Sequence, residues 1–284
     1  MLRHAACILA LLLAAAAHAE PLDGRLKKIA DTRTINVAYR TDATPFSFVD
    51  DKKQTVGFSI DLCKRVINSI ERQLNVPSLK VNWVPVTVQT RFDAVIKGKA
   101  DMECGSSTVT LSRLKNVDFS SYIFVETTGL LTLADSGLRS LSDMSGRKIA
   151  VIGGTTNERA VNDQVKSRQL NVTVVQFKSS DEALAALEGG KVDAFASDKL
   201  LLVGAATRAK DPKKLAILPD ELSFEPYGIT LPRNEAALRL AVNTGLSQLY
   251  GSGEIGEIFG RWFGGFGQPS ALVRAVYIFG AIPD

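Results

Sequence analysis

Within residues 98–113, GKADMECGSSTVTLSR, an apolar-leaning segment from Ala100 to Glu103 runs into three small hydroxyl residues, Ser106, Ser107 and Thr108. Arg113 follows five residues after Thr108. A strand end followed by Ser and Thr leaves backbone N–H groups and hydroxyls free to hold a small polar guest. An arginine adds a planar fork that matches a carboxylate. The same residues also suit a turn capped by hydroxyls beside a solvated arginine, so the stretch alone does not choose between a site and a loop. Three more side chains stand at comparable places. Arg40 closes an alternating strand. Arg91 falls in the first turn of a helix, where a cation opposes the macrodipole, so structure alone does not account for it. Asp198 ends a strand, where it fits a helix cap and a ligand partner equally.

The elements that must carry these residues follow from periodicity. Thr34 to Tyr39 alternates apolar and polar residues and predicts a strand ending at Arg40. Cys63, Val66, Ile67, Ile70 and Leu74 recur at helical spacing after Gly57. Leu79 to Val84 reads as a strand, and Thr87 as the N-cap of the helix that holds Arg91. Asp118 to Thr132 is a long extended region. Strand Lys148 to Ile152, the loop Gly153-Gly154-Thr155-Thr156 and a helix from Asn157 to Lys166 form a geometry that receives an anion at a helix N-terminus. No Gly-Lys-Ser/Thr follows, so it is not a Walker loop, and it lacks the dinucleotide fingerprint. Strand Val172 to Phe177 precedes Ser179 and Glu182, a capping-box pair, and that helix stops at Gly189-Gly190. Helices are predicted again around Leu238 to Leu249 and over Gly253 to Phe263. The tail after Gly264 packs on the body of the fold in a form the sequence does not show.

One internal echo stands out. Ala94 to Asp101 resembles Ala186 to Asp193, helix end into strand, 92 residues apart. In both copies the strand ends in polar residues. The echo implies two α/β lobes of similar build, each offering polar groups at the C-terminal ends of its strands, where open α/β sheets bind ligands.

Composition narrows the chemistry. Residues 1–19 read as a secretory leader, with Arg3 and His4, an apolar run from Ala5 to Ala17, and Ala17-His18-Ala19 as the cleavage site. Cys7 lies inside the apolar run, which speaks against a lipid anchor. Removing 19 of the 284 residues leaves 265, with 33 basic against 30 acidic side chains, or +3. The basic residues are scattered, so no nucleic-acid surface is expected. Both histidines, His4 and His18, leave with the leader. That excludes Ser-His-Asp and Cys-His catalysis and removes the commonest transition-metal ligand, so neither metal nor organic cofactor is expected. Cys63 and Cys104 remain, either bridged in an oxidising compartment or present as buried thiols.

Taken together, Arg40 with Pro45-Phe46-Ser47, Gly57-Phe58-Ser59-Ile60-Asp61, Thr87 to Arg91, Glu103 to Thr108, Arg113, Asp118-Phe119-Ser120, Gly154-Thr155-Thr156 and Asp198 resemble the periplasmic amino-acid-binding proteins of ABC transporters. Within that polar amino-acid group the glutamate/aspartate-binding proteins look closest. The resemblance covers nearly all of the mature chain. It implies a type II-like periplasmic-binding-protein fold of α/β class, two lobes joined by two hinge strands with the ligand cleft between them. Residues 20–127 and 228–284 would form lobe 1, and 128–227 lobe 2. It further implies a periplasmic, monomeric protein, not embedded in the membrane, that hands an amino acid to a transporter permease. Ser106, Thr108 and Arg113, with Thr155 from lobe 2, look like the α-carboxylate and α-amine contacts, Asp198 like the partner of the ammonium. Arg40 and Arg91 would take the side-chain carboxylate.

Two positions depart from the glutamate/aspartate pattern. Val88 stands where those proteins carry a serine, and Ser180 where they carry a histidine. Glutamine, asparagine and non-proteinogenic acids therefore stay open as ligands. Exported dehydratases acting on prephenate-like or arogenate-like acids resemble the same fold. Such an enzyme would need an acid to protonate a leaving group, and Glu103 is the candidate. A ligand-sensing module is the third reading.

Overall fold

The computed structural model describes residues 22–283, so the expected leader (residues 1–19) lies outside the described residues. Helix α1 (Gly24–Thr32) leads into β1 (Thr34–Arg40) and then a small antiparallel sheet of β2 (Asp42–Ala43), β3 (Ser47–Val49) and β4 (Thr55–Val56). Helix α2 (Phe58–Gln73) starts at Gly57, whose φ of 135° and approach to Phe46 leave no room for a side chain. As the spacing predicts, α2 buries Cys63, Val66, Ile67 and Ile70. Next come β5 (Lys80–Val86), α3 (Arg91–Ile96) and β6 (Met102–Glu103). Thr87 does not cap α3. Its carbonyl accepts the N–H groups of Thr90 and Arg91 in a turn, and the helix starts one turn later, with Thr90 at the cap. Arg91 is still in the first turn.

The long extended region is two strands, β7 (Asp118–Glu126) and β8 (Thr128–Leu133), and the second half then repeats the βαβ rhythm. It comprises β9 (Lys148–Ile152), α4 (Thr156–Ser167), β10 (Thr173–Phe177), α5 (Ser180–Glu188), β11 (Ala194–Asp198), α6 (Lys199–Ala206) and β12 (Leu215–Ile217). At the start of α5 the Ser179 hydroxyl accepts from Glu182 N at 3.2 Å, but the Glu182 carboxylate accepts from Lys178 N rather than from Ser179. Only half of the expected capping box forms. The chain closes with β13 (Glu225–Leu231), α7 (Ala236–Gly251), α8 (Glu254–Phe263) and α9 (Ala271–Gly280). Thus the tail that the sequence left undefined is helical, and it packs on β7 and α7.

Two five-stranded sheets organise the molecule, in the orders β5-β1-β6-β13-β7 and β10-β9-β11-β8-β12. In each, three parallel strands are followed by antiparallel ones. The first sheet lies over an aromatic core in which Phe46, Phe58, Phe124 and Phe263 stack edge to face or tilted within 6.1 Å of one another. Leu131, Ile152, Phe195 and Leu202 are among those that centre the second. The chain passes from one sheet to the other through Thr127 and returns into β13, and the Thr127 hydroxyl donates to Ser223 O at 2.7 Å, tying the two crossings together. Cys63 of α2 is bonded to Cys104, just beyond β6, so the disulfide lies wholly on the first sheet's side.

The echo has a structural cause. At the head of β6 the Asp101 carboxylate accepts the Asn36 N–H at 2.8 Å, and before β11 the Asp193 carboxylate accepts the Lys148 N–H at 2.8 Å. Each aspartate also holds an arginine, Arg25 in one half and Arg147 in the other. The repeated aspartate pins the helix-to-strand junction onto the neighbouring parallel strand in both halves.

Candidate functional site

Every parallel strand points its C-terminal end at one cavity, the arrangement that puts binding groups at a cleft mouth. Arg40 arrives from the end of β1, Val88 and Arg91 from beyond β5, and Ser106 and Thr108 from beyond β6. Facing them are Ile152, Thr155, Thr156 and Asn157 after β9, Ser180 after β10, and Ser197 and Asp198 at the end of β11. The cavity measures about 20 Å³, room for roughly one water, so a solute must part its walls to enter. The walls touch at several points around it. Gln89 Nε2 donates to Lys178 O at 3.3 Å, and Gly204 of α6 lies against the backbone of Thr44.

The first wall is cationic. Arg40 and Arg91 are both buried, and Arg40 gives Nε and Nη2 to one Asp42 oxygen at 2.9 and 2.7 Å. Among the described residues Arg91 has only the Ser106 carbonyl, at 3.3 Å from Nη1, and its Nε has no partner. Arg91 and Arg113 share the ring of Phe92, their guanidinium carbons 4.8 and 4.9 Å from its centroid. Burial, then repulsion by Arg113 and more weakly by Arg40, pushes the Arg91 guanidinium down to about 9. A buried cation crowded by other cations and short of acceptors is an anion site. Arg113 itself stands one layer back: it does not line the cavity but donates to Thr108 O at 2.7 Å. Burial lowers it too, against the attraction of Glu225, Glu103 and Asp198.

The opposite wall is anionic. Asp198 makes no side-chain cap bond to α6, which answers the capping alternative. Its Oδ1 accepts from Asn157 Nδ2 at 2.7 Å and its Oδ2 from the Tyr227 hydroxyl. Burial and then the Glu225 charge push its carboxyl up to about 7. Glu126 nearby is pushed up to about 8 by burial and then by Asp198, while its Oε2 accepts the Thr127 N–H at 3.0 Å. Thr155 lines the cavity, but its hydroxyl is spent on the α4 cap, accepting from Glu158 N at 3.1 Å and donating to Ile152 O at 2.7 Å.

Of the sequence-predicted residues, Arg40, Arg91, Ser106, Thr108, Thr155 and Asp198 line one cavity, and Arg113 stands behind it. Val88 and Ser180, the two departures, line it as well. Sequence reasoning missed Asp42, Thr156, Asn157, Glu225 and Tyr227. Asn157 and Thr156 sat in a stretch already marked as an anion-receiving helix start, and that signal could have found them. Glu103 is fully buried off the cavity, its Oε2 taken by the hydroxyls of Ser107 and Thr230 at 2.7 Å each. A second cavity of about 480 Å³ lies between α7 and the C-terminal residues, and among the described residues that line it none is charged. Among the described residues no cluster of three metal-ligating side chains occurs, and no helix is long and apolar enough to cross a membrane.

Comparison with known proteins extends this geometry. Residues 35–265 match the family described as bacterial extracellular solute-binding proteins, family 3. The L-glutamate/L-aspartate-binding protein of Pseudomonas aeruginosa is 35% identical over 257 residues, 90% of this chain and 85% of that one. The glutamate/aspartate import solute-binding protein of Salmonella typhimurium is 33% identical over 256 residues, 89% of this chain and 85% of its own. Among solved structures, the ancestral amino acid-binding protein AncCDT-1, a precursor of cyclohexadienyl dehydratase, superposes with a TM-score of 0.74 at 27% identity, covering 84% of this chain and all of that one.

Proposed function

This chain belongs to the bacterial extracellular solute-binding proteins of family 3, and from that premise we propose that it captures glutamate or aspartate in the periplasm and delivers it to an ABC importer. The observation that carries the reading is the pair of opposed walls, with Arg40 and Arg91, backed by Arg113, on one side and Asp198 on the other. A dicarboxylic amino acid has two anions and one cation, and these walls supply complementary charge for both. In this reading Arg113 and the start of α4 meet the α-carboxylate, and Asp198 meets the ammonium. Ser106, Thr108 and Thr155 complete the backbone contacts, and Arg40 and Arg91 take the side-chain carboxylate. The lobes are 20–127 with 228–284, and 128–227. The protein is exported by its leader, acts as a monomer that touches a permease but no nucleic acid, and turns over no substrate.

Calorimetry of the purified protein against the twenty amino acids and their amides tests this. Tight binding is expected for glutamate or aspartate. Arg91→Met or Arg40→Met should weaken the acid far more than the matching amide. Equal losses for glutamate and glutamine would show that these arginines do not read the side chain. The likeness to a dehydratase precursor favours prephenate or arogenate turnover as the second reading. Glu103 does not line the cavity and its Oε2 is held by Ser107 and Thr230, which supports binding over that chemistry, although its buried Oε1 has no partner among the described residues. Product formation from either acid would reverse the choice.

A further inference from the structure

Glu225, the first residue of β13, is buried and does not line the cavity, yet it collects three hydroxyl protons. Thr108 Oγ1 donates to its Oε2 at 2.7 Å, Thr156 Oγ1 donates to the same oxygen at 2.6 Å, and Ser223 Oγ donates to Oε1 at 2.6 Å. Thr108 follows β6 and Thr156 opens α4, so a single oxygen joins the two walls of the cavity. The two threonine oxygens are 3.3 Å apart, and both residues line the cavity.

A hydroxyl has one proton to give and two lone pairs to offer. With that proton spent on Glu225, Thr108 and Thr156 present only lone pairs to the cavity. A ligand carboxylate finds no donor in either hydroxyl, whereas an ammonium finds two acceptors beside Asp198. The direction is reinforced from behind. Asn157 Nδ2 donates to Thr128 Oγ1 at 2.7 Å. Because Ser223 has given its proton to Glu225, the 2.7 Å contact between Thr128 and Ser223 must have Thr128 as donor. The chain Asn157 to Thr128 to Ser223 to Glu225 therefore runs one way, and the same Asn157 nitrogen also serves Asp198. Networks of this kind polarise along their length.

We infer that Glu225 is a positioning residue for the ammonium subsite: by turning the Thr108 and Thr156 hydroxyls outward from the cavity it makes the site demand an amino acid and reject a plain dicarboxylate. The inference rests on the acidic amino-acid reading above. A purely structural tie between the walls would support every ligand alike, so the test compares two ligands that differ only in the ammonium group.

L-Glutamate and glutarate are titrated into the parent and into Glu225→Gln. The glutamine amide keeps one acceptor oxygen and puts an N–H group in place of the other, so at least one of the Thr108, Thr156 and Ser223 hydroxyls must reverse and the one-way chain is broken. Glutamate affinity should fall by at least about tenfold, while glutarate affinity changes by less than about twofold. Equal losses for the two ligands, or tighter glutamate binding, would overturn the proposal. If Glu225→Gln does not fold, Thr156→Val removes one of the turned hydroxyls and carries the same comparison. Loss confined to glutamate supports the inference, and equal loss or none refutes it. If the parent binds a different amino acid, the ligand reading fails by itself, and that amino acid with its des-amino analogue replaces the pair.

Discussion

Asp198 holds its proton up to about 7 in the folded chain, against 3.8 for a free carboxyl, because burial and Glu225 disfavour its charge. In its closed form the folded chain therefore binds more protons than the unfolded one between those values, and that form loses stability as the pH rises from about 4 to about 7. Glu126, pushed from 4.5 to about 8, extends the same trend. Binding runs the other way, since an ammonium needs the ionised carboxylate. Affinity should climb with pH and level off once Asp198 is ionised, and at pH 6 binding should release protons. Calorimetry at pH 6 in buffers of different ionisation heat counts them, and a count of zero would refute the assignment. Asp198→Ala should abolish the release and weaken binding at least tenfold, ~1.4 kcal/mol. The sequence singled out Asp198 as an acid at a strand's end, open to a cap or a ligand role until the family resemblance pointed to the ligand. Tyr227, which holds it together with Asn157, was not singled out, because its place is set by the pairing of β13 with β7, about a hundred residues away in the chain.

The elements themselves were largely legible, for α2, α7 and α8 each bury a stripe at helical spacing. Helix α9 shows why one was not. It buries Val273, Tyr277 and Gly280, a regular stripe, but Leu272, Ile278 and Phe279 on its other side are exposed and equally apolar. Without contrast between faces there is no period to detect. For Cys63 and Cys104 the sequence left pairing and free thiols both open, and the structure pairs them. Only the meeting of α2 with the end of β6 decides between those. A bridge over 41 residues is worth about 4 kcal/mol in the chain-entropy account. Denaturant unfolding with and without reductant should show a loss of that size, and thiol titration of the denatured, unreduced protein should find none free. Two free thiols would refute the bridge.

At the scale of the molecule, closure depends on how near the two walls come. Gly204 is a helical glycine whose added Cβ would lie 2.1 Å from the Thr44 carbonyl oxygen across the cleft. Alanine is otherwise the better helix former by about 1 kcal/mol. Gly204→Ala should therefore leave ligand-free thermal stability unchanged or slightly raised, yet weaken ligand binding, because only the closed form meets the clash. Undiminished affinity would show that the walls need not come this close. The sequence reveals both halves through their echo, but not their contact, since nothing local in Gly204 or Thr44 records the other.

The order of the first sheet has a temporal meaning. Strand β13 sits between β6 and β7, both of which precede it in the chain by about a hundred residues or more. A polypeptide made from its N-terminus has every strand of the second sheet once Ile217 exists, while the first sheet still has a gap at its centre. Until Leu231 has been added, β6 and β7 each carry an open edge, the kind of surface on which other chains template. The half that begins first is completed last.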